Sequence, residues 1–166
     1  AGVTSPEDQK KYVNIAYTKA EQMKALANDL FEYTTLKSTN TKLNLNDLHI
    51  YSMLEQVAAG FELEAEKNGI EIEIEARPKN LTIKADAEKL VRVYNNLISN
   101  AFKYGTGATK IKLVANLVNK REVELRVENN GAPIPKKSLN KIFERFYRVE
   151  TSRNTKTGGT GLGLSI

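Results

Sequence analysis

The sequence contains no cysteine, one histidine and no long apolar run among its 166 residues. The absence of cysteine excludes a disulfide framework and thiolate metal sites, and a single histidine leaves little room for a metal centre. No apolar run approaches the roughly 20 residues that span a bilayer. The opening stretch AGVTSPEDQKK also lacks the basic-then-apolar order of a signal peptide. These absences predict a soluble chain and fit a reducing compartment.

The charge is unevenly placed along the chain. The net charge is +5, and the segment from Pro135 to Gly158 alone carries seven basic and two acidic residues, which equals that whole excess. A long duplex would need positive charge spread along a face of the protein, whereas a short basic segment beside a glycine-rich stretch suits a compact polyphosphate. The distribution therefore favours a small phosphorylated ligand over nucleic acid.

The first predicted element is a long helix from Pro6 to Lys37, a stretch without internal glycine or proline. Ser5 is a good N-cap, and Pro6 fits the first helical position. Small and apolar residues recur at intervals of three and four, the spacing of a coiled-coil seam: Val13, Ala16, Ala20, Met23, Ala27, Leu30 and Thr34. The seam predicts packing against another helix, and the alternative is an amphipathic helix packed on its own domain.

A polar connector, Ser38 to Asp47, separates this helix from a predicted α+β layer in which helices cover a sheet. The hydrophobic periodicity and the turn residues predict two further helices and four strands. They are a helix from Leu48 to Lys67 stopped by Asn68-Gly69, strands at Ile70–Ala76 and Leu81–Ala85, a helix from Ala87 to Tyr104 between the N-cap Asp86 and Gly105, and a hairpin of KIKLVANLV and EVELRVEN around Asn119-Lys120-Arg121.

The helix LVRVYNNLISNAFKYG has a polar stripe opposite its apolar side. Asparagine is a mediocre helix former, so two aligned asparagines need a reason. A solvated face is one explanation. The other is that an amide oxygen is a hard, neutral ligand suited to Mg²⁺, with a lysine meeting the phosphates as a point charge. The stripe is Arg92, Asn96, Asn100 and Lys103, and the apolar side is Leu90, Tyr94, Leu97 and Ala101.

Three further segments suggest a site, and each has an ordinary alternative. VENNGAPIP ends a strand in polar residues and glycine, which is typical of ligand sites and also of simple turns. IFERFYR mixes arginines with aromatic residues, and we expect Phe143 at least to be a core residue. In GGTGLGLSI, glycines before a helix start would let backbone amides approach phosphate, although most glycine-rich tails are linkers.

Taken together and in this order, NNLISNAFKY, ENNGAPIP, FERFYR and GGTGLGLSI resemble the N, G1, F and G2 boxes of bacterial sensor histidine kinases. The resemblance implies a Bergerat-type (GHKL) α/β sandwich, shared with gyrase-type and chaperone-type ATPases. It implies an ATP-binding catalytic domain over residues 45–166. Residues 1–40 are similar to the second helix of the dimerisation and histidine-phosphotransfer hairpin. ENNGAPIP and RNTKTGGTGLGL are further similar to kinases of the vancomycin-resistance sensor type.

The resemblance also implies roles for single residues. Asn100 would be the Mg²⁺ ligand, with Asn96 close to the metal and phosphates. Lys103 would reach a phosphate, and Tyr104 would pack on the adenine. The remaining implied roles are base recognition at Asn129 and Gly131, phosphate neutralisation by Arg145 and Arg148 within a lid over residues 136–157, and a phosphate loop shaped by Gly159, Gly161 and Gly163.

Three features depart from the family pattern. Asn129 and Pro133 stand where the G1 box usually has an aspartate and its second glycine, although an amide can still pair with an adenine edge. His49 lacks the context of the phosphoacceptor and is expected to be a structural or surface residue, so no catalytic residue is assigned in this chain. The family continues with a helix and two more strands, so the chain is expected to be a piece trimmed at both ends and inactive alone.

The resemblance implies transfer of the ATP γ-phosphate to a histidine outside this chain and then to an aspartate of a response regulator. It implies ATP and Mg²⁺ as cofactors, a homodimer through the helical hairpin, and no nucleic-acid partner. The segment would be the cytoplasmic domain of a bacterial protein anchored in the membrane by other parts. An anti-sigma-type serine kinase on the same fold and a non-enzymatic basic helical module that binds nucleic acid or partner helices are the alternatives.

Overall fold

The computed structural model describes residues 5–37, 42–120, 122–149 and 161–165. The chain divides into two compact units. Residues 42–139 form one unit, and residues 1–41 together with 140–166 form the other. Within the described ranges, no helix combines the length and the apolar character needed to cross a membrane.

The second of these units contains α1, Pro6–Lys37, which matches the predicted long helix. The Ser5 hydroxyl oxygen accepts the backbone N–H of Asp8 at 3.1 Å, so the predicted N-cap is confirmed. Residues of the predicted seam have exposed side chains, including Val13 and Met23. α1 therefore presents apolar residues at its surface.

The predicted helix from Leu48 to Lys67 is wrong in its boundaries. The structure has a strand β1, Asn46–His49, and two helices, α2, Ile50–Ala59, and α3, Glu62–Asn68. Gly60 separates the two helices, and β1 forms only because it pairs with a distant strand. The expected structural role of His49 is confirmed, because its exposed ring accepts the N–H of Ser52 and caps α2.

The predicted strands and the next helix are confirmed to within a residue or two. Their bounds are β2, Glu71–Arg77, β3, Thr82–Ala85, α4, Ala87–Tyr104, β4, Lys110–Asn119, and β5, Glu122–Asn129. β1 and β3 form an antiparallel pair, while β2, β4 and β5 form a second sheet in that order. β2 runs parallel to β4, and β4 and β5 form the predicted antiparallel hairpin. Arg121 of its turn lies outside the described residues.

The core lies where α2 and α4 pack on one face of the three-stranded sheet. α4 contributes Tyr94, Ile98 and Ala101, all buried. Ile98 is fully buried although the sequence prediction placed Leu97 on the apolar side, and Leu97 is only half-buried. Burial raises the pKa of the Tyr94 hydroxyl to about 12, because the phenolate would lose its solvation. The predicted α+β arrangement of a sheet covered by helices is confirmed.

The opposite face of this sheet is a ladder of ion pairs. Lys110 Nζ lies 3.3 Å from carboxylate oxygens of both Glu71 and Glu73, and Lys112 Nζ lies 3.2 Å from Glu73. Lys112 and Lys110 hold the pKa of the Glu73 carboxyl below its usual range, and Glu73 and Glu71 raise the pKa of the Lys110 ammonium. Val114 follows Lys112 by two residues on β4, so it lies on the same face, and it is buried at 2% exposure.

Candidate functional site

α4 is anchored at its first residue by the carboxylate of Asp86. One oxygen of Asp86 accepts the backbone N–H of Lys89 at 3.2 Å, and the other accepts that of Asn44 at 3.0 Å. The N–H groups of Asn44 and Lys89 hold the pKa of the Asp86 carboxyl below its usual range. The predicted N-cap is therefore confirmed, and it also ties the helix to the segment before β1.

The predicted polar stripe lies along α4, away from the core residues. Arg92, Asn96 and Asn100 are half-buried, and Lys103 is exposed in the last turn, where a cation is favourable. The side-chain amide of Asn100 makes no hydrogen bond with any described residue. A half-buried amide without a partner inside the described structure is available to a ligand.

The end of α4 meets the end of β5 through two glycines. A Cβ atom on Gly131 would lie 2.5 Å from the carbonyl oxygen of Gly105, so no larger residue fits there without movement. A Cβ on Gly105 would lie 3.0 Å from Oδ1 of Asn129. The N–H of Ala132 donates to the Thr106 carbonyl at 2.9 Å and holds the two segments together. The structure thus brings Asn129 and Gly131 against the residue that follows the last turn of α4.

Two consecutive asparagines shape the turn after β5. Oδ1 of Asn129 accepts the N–H of Gly131 at 3.0 Å, and the side chain of Asn129 is exposed. Oδ1 of Asn130 accepts the N–H groups of Thr109 and Lys110 at 2.9 and 3.0 Å. Asn130 Nδ2 donates to the Thr109 hydroxyl oxygen at 2.8 Å. Asn130 therefore pins the turn to the start of β4, while Asn129 points one end of its amide outwards.

In the other unit, Phe146 and Gly161 are in backbone contact. Both have a positive φ, 60° and 74° respectively, and the N–H of Phe146 donates to the Gly161 carbonyl at 2.8 Å. A Cβ on Gly161 would lie 2.9 Å from Cα of Phe146, so glycine is required by space as well as by conformation. Gly161 of the predicted glycine loop and Phe146 of the FERFYR segment are thus packed together.

The other predicted site residues of this unit differ in how exposed they are to solvent. Arg145 is exposed, Arg148 and Gly163 are half-buried, and Gly159 lies outside the described residues. The expectation that Phe143 is a core residue is wrong, because its side chain is 66% exposed. Its segment forms turns rather than a regular helix, so aromatic spacing does not place one face of it against a core.

Comparisons with known proteins identify the family. The profile described as "Histidine kinase-, DNA gyrase B-, and HSP90-like ATPase" matches residues 85–166. The sequence is 38% identical to the sensor protein VanS of Enterococcus faecium, over 97% of this chain and 41% of VanS. The catalytic domain of histidine kinase ThkA has a TM-score of 0.62 and 30% identity, covering 74% of this chain and 76% of that domain. The chain belongs to the histidine kinase family.

Two further structures support the histidine kinase fold. Full-length ShkA in complex with AMPPNP has a TM-score of 0.80 and 27% identity, covering 99% of this chain and 33% of ShkA. ThkA in complex with the response regulator TrrA has a TM-score of 0.73 and 26% identity, covering 88% of this chain and 42% of that chain. The similarity to VanS agrees with the vancomycin-resistance type inferred from the motifs. This chain spans about two fifths of VanS and one third of ShkA.

The sequence of this histidine kinase domain did not reveal every residue that shapes the site. Gly105 was predicted only as the end of a helix, and the anchoring role of Asn130 was missed. The available signal was the pair of glycines that flank the two segments, Gly105 after α4 and Gly131 after β5. Across the described ranges, no three histidine or acidic side chains gather as a metal site would require. The amide oxygen of Asn100 on α4 is the candidate metal ligand.

Proposed function

We propose that this chain is a nucleotide-binding kinase domain that binds Mg²⁺-ATP at the junction of α4 and β5. The observation that carries the proposal is the half-buried Asn100 amide, which has no partner among the described residues and lies on a polar stripe ending at the Gly105–Gly131 contact. The stripe supplies a neutral oxygen and the positive charge of Lys103, which suit a metal and phosphates.

Asn100 fits a magnesium ligand on the donor chemistry present. Mg²⁺ takes few protein ligands and fills its shell with phosphate oxygens and water, so one amide oxygen suffices. Asn96 lies one turn earlier on the same stripe and belongs close to the metal and phosphates. Bound Mg²⁺ would supply charge neutralisation and orientation of the phosphates, and the amide oxygen of Asn100 would hold it in place.

The remaining roles follow the family resemblance. Tyr104, half-buried in the last turn of α4, packs on the adenine, and Asn129 and Gly131 contact the base. The other residues act on the phosphates, through the positive charge of Arg145 and Arg148 and the backbone of Gly159, Gly161 and Gly163.

The whole protein is proposed to transfer the γ-phosphate to a histidine outside this chain and then to a response-regulator aspartate. Residues 1–40 would be the second helix of the dimerisation hairpin and residues 45–166 the catalytic domain. The exposed apolar residues of α1 suit a helical partner within a homodimer. Other parts of the protein would anchor it in the membrane, with this domain in the cytoplasm.

Replacement of Asn100 tests the metal assignment. Asn100→Ala should abolish the Mg²⁺ dependence of ATP-analogue binding, because it removes the only amide oxygen assigned to the metal. Isothermal titration calorimetry with and without Mg²⁺ measures this dependence.

Asn95→Ala is the matched control, since Asn95 lies on the same helix with an exposed side chain outside the polar stripe. We expect the control to bind like the wild type. Mg²⁺-dependent affinity that survives in a folded Asn100→Ala chain would contradict the assignment.

A further inference from the structure

The side chain of Asn129 has only one amide group left for a ligand. Its Oδ1 accepts the N–H of Gly131 at 3.0 Å. A backbone N–H can only donate, so the oxygen of the amide, and not its NH₂ group, must face Gly131. Nδ2 makes no hydrogen bond with any described residue, and the side chain is exposed. Asn129 therefore presents a hydrogen-bond donor outwards.

The turn that carries this donor is fixed on both sides. The N–H of Asn130 donates to the Lys110 carbonyl at 3.3 Å, and the N–H of Ala132 donates to the Thr106 carbonyl at 2.9 Å. Oδ1 of Asn129 also lies where a Cβ on Gly105 would approach it to 3.0 Å. The orientation of the Asn129 amide is therefore fixed in the absence of a ligand. A 180° rotation of the amide would place its NH₂ group against the N–H of Gly131, and both of these groups are donors.

We infer that Asn129 makes this site accept 6-oxopurine nucleotides, such as ITP and GTP, alongside ATP. The inference rests on the proposed function, which puts a purine base at Asn129. Adenine has an amino donor at position 6, whereas guanine and hypoxanthine have a carbonyl acceptor there. An outward NH₂ group meets that carbonyl as donor to acceptor. The NH₂ group of Asn129 can donate to adenine only at a ring nitrogen. The amino group of adenine would have to donate to Oδ1, which already accepts the N–H of Gly131.

A carboxylate at this position has the opposite preference. One oxygen of an aspartate would accept the Gly131 N–H as Oδ1 of Asn129 does, which preserves the turn. The second oxygen would point outwards and could only accept. It would bind the adenine amino group and repel a 6-oxo group, and each unmatched buried polar contact costs affinity. The choice between amide and carboxylate at residue 129 therefore sets base selectivity.

The test compares ITP with ATP, because ITP carries the 6-oxo group without the additional 2-amino group of GTP. Calorimetric dissociation constants are measured in Mg²⁺ for the full chain and for Asn129→Asp. Asn130→Asp is the control, since it places the same charge one residue away, where the Thr109 hydroxyl can donate to it instead. We expect the wild type to bind ITP at least as tightly as ATP. Asn129→Asp should shift the ratio towards ATP by about tenfold or more.

The outcomes separate this inference from the proposed function. A wild-type chain that binds neither nucleotide in Mg²⁺ would overturn both. Binding of both nucleotides with an ITP-to-ATP ratio that Asn129→Asp leaves unchanged, or that Asn130→Asp shifts equally, would overturn the base-selectivity inference alone. A wild type that prefers ATP as strongly as the variant would do the same.

Discussion

Two glycines determine how closely α4 approaches the turn after β5. Gly105 and Gly131 are in such close contact that a Cβ on Gly131 would lie 2.5 Å from a carbonyl oxygen and 2.6 Å from its carbon. Both atoms belong to the backbone, so a side-chain rotation cannot relieve the clash. Because Asn129 lies two residues before Gly131 and is hydrogen-bonded to it, the position of its amide depends on this approach.

Gly131→Ala should therefore destabilise residues 42–139 and weaken nucleotide binding. Forcing a methyl group into packed backbone typically costs about 1–3 kcal/mol, and urea unfolding measures it. Gly60→Ala is the control, because Gly60 has right-handed φ and ψ and its nearest Cβ contact would be 3.2 Å. Equal stability losses in the two variants would mean that the glycine contact is not specifically tight.

The sequence predicted that Asn129 lies in a polar turn after a strand, but it did not predict which way its amide points. The strand and the polar turn are visible in the local pattern VENNGAPIP. The orientation depends on the Gly131 N–H, which turns back onto Oδ1 only in the folded turn. The outward direction of the NH₂ group could not be derived from residue type alone.

At the scale of elements, α4 shows what local periodicity can predict. Its cap, its bounds and its polar stripe follow from residues close together in sequence, and all were predicted. β1 was missed because a four-residue strand depends on a partner far along the chain, here Leu48 opposite Ile83. The division between α2 and α3 was missed because a glycine inside a helical pattern does not always end a helix.

The Asp86 cap makes the stability of α4 depend on pH. The folded pKa of Asp86 lies below its usual value, so its stabilisation is present above the unfolded pKa and is lost as the pH falls through the folded pKa. Asp86→Asn can accept through one oxygen only. Compared with the wild type, we expect Asp86→Asn to have a lower urea midpoint at neutral pH and to lose less stability on acidification. Circular dichroism measures both unfolding transitions.

Asp47→Asn is the control for this pH dependence. Asp47 is exposed and pairs with Lys84 at 3.0 Å on the surface, where an ion pair contributes little. The control should follow the wild type through the acid range. An Asp86→Asn chain whose acid transition coincides with that of the wild type would show that the cap is not the titrating contact.

At the scale of the whole molecule, charge is separated between a neutralised sheet face and a basic segment. On the sheet, Arg126 lies 3.2 Å from Glu128 and 3.5 Å from Glu124, in addition to the lysine–glutamate pairs of β2 and β4. The excess of +5 lies instead between Pro135 and Gly158. This distribution suits a compact anion better than a duplex, and it agrees with membership of the histidine kinase family.

The central claim is that Mg²⁺-nucleotide binds where α4 ends beside the turn after β5. The most direct measurement is the change in backbone amide NMR signals of the ¹⁵N-labelled chain on addition of AMPPNP with Mg²⁺. We predict saturable shifts concentrated at Asn96–Gly105 and Asn129–Gly131, with the ion-paired strand β2 unaffected. No saturable shift, or shifts confined to α1 and β2, would contradict the account.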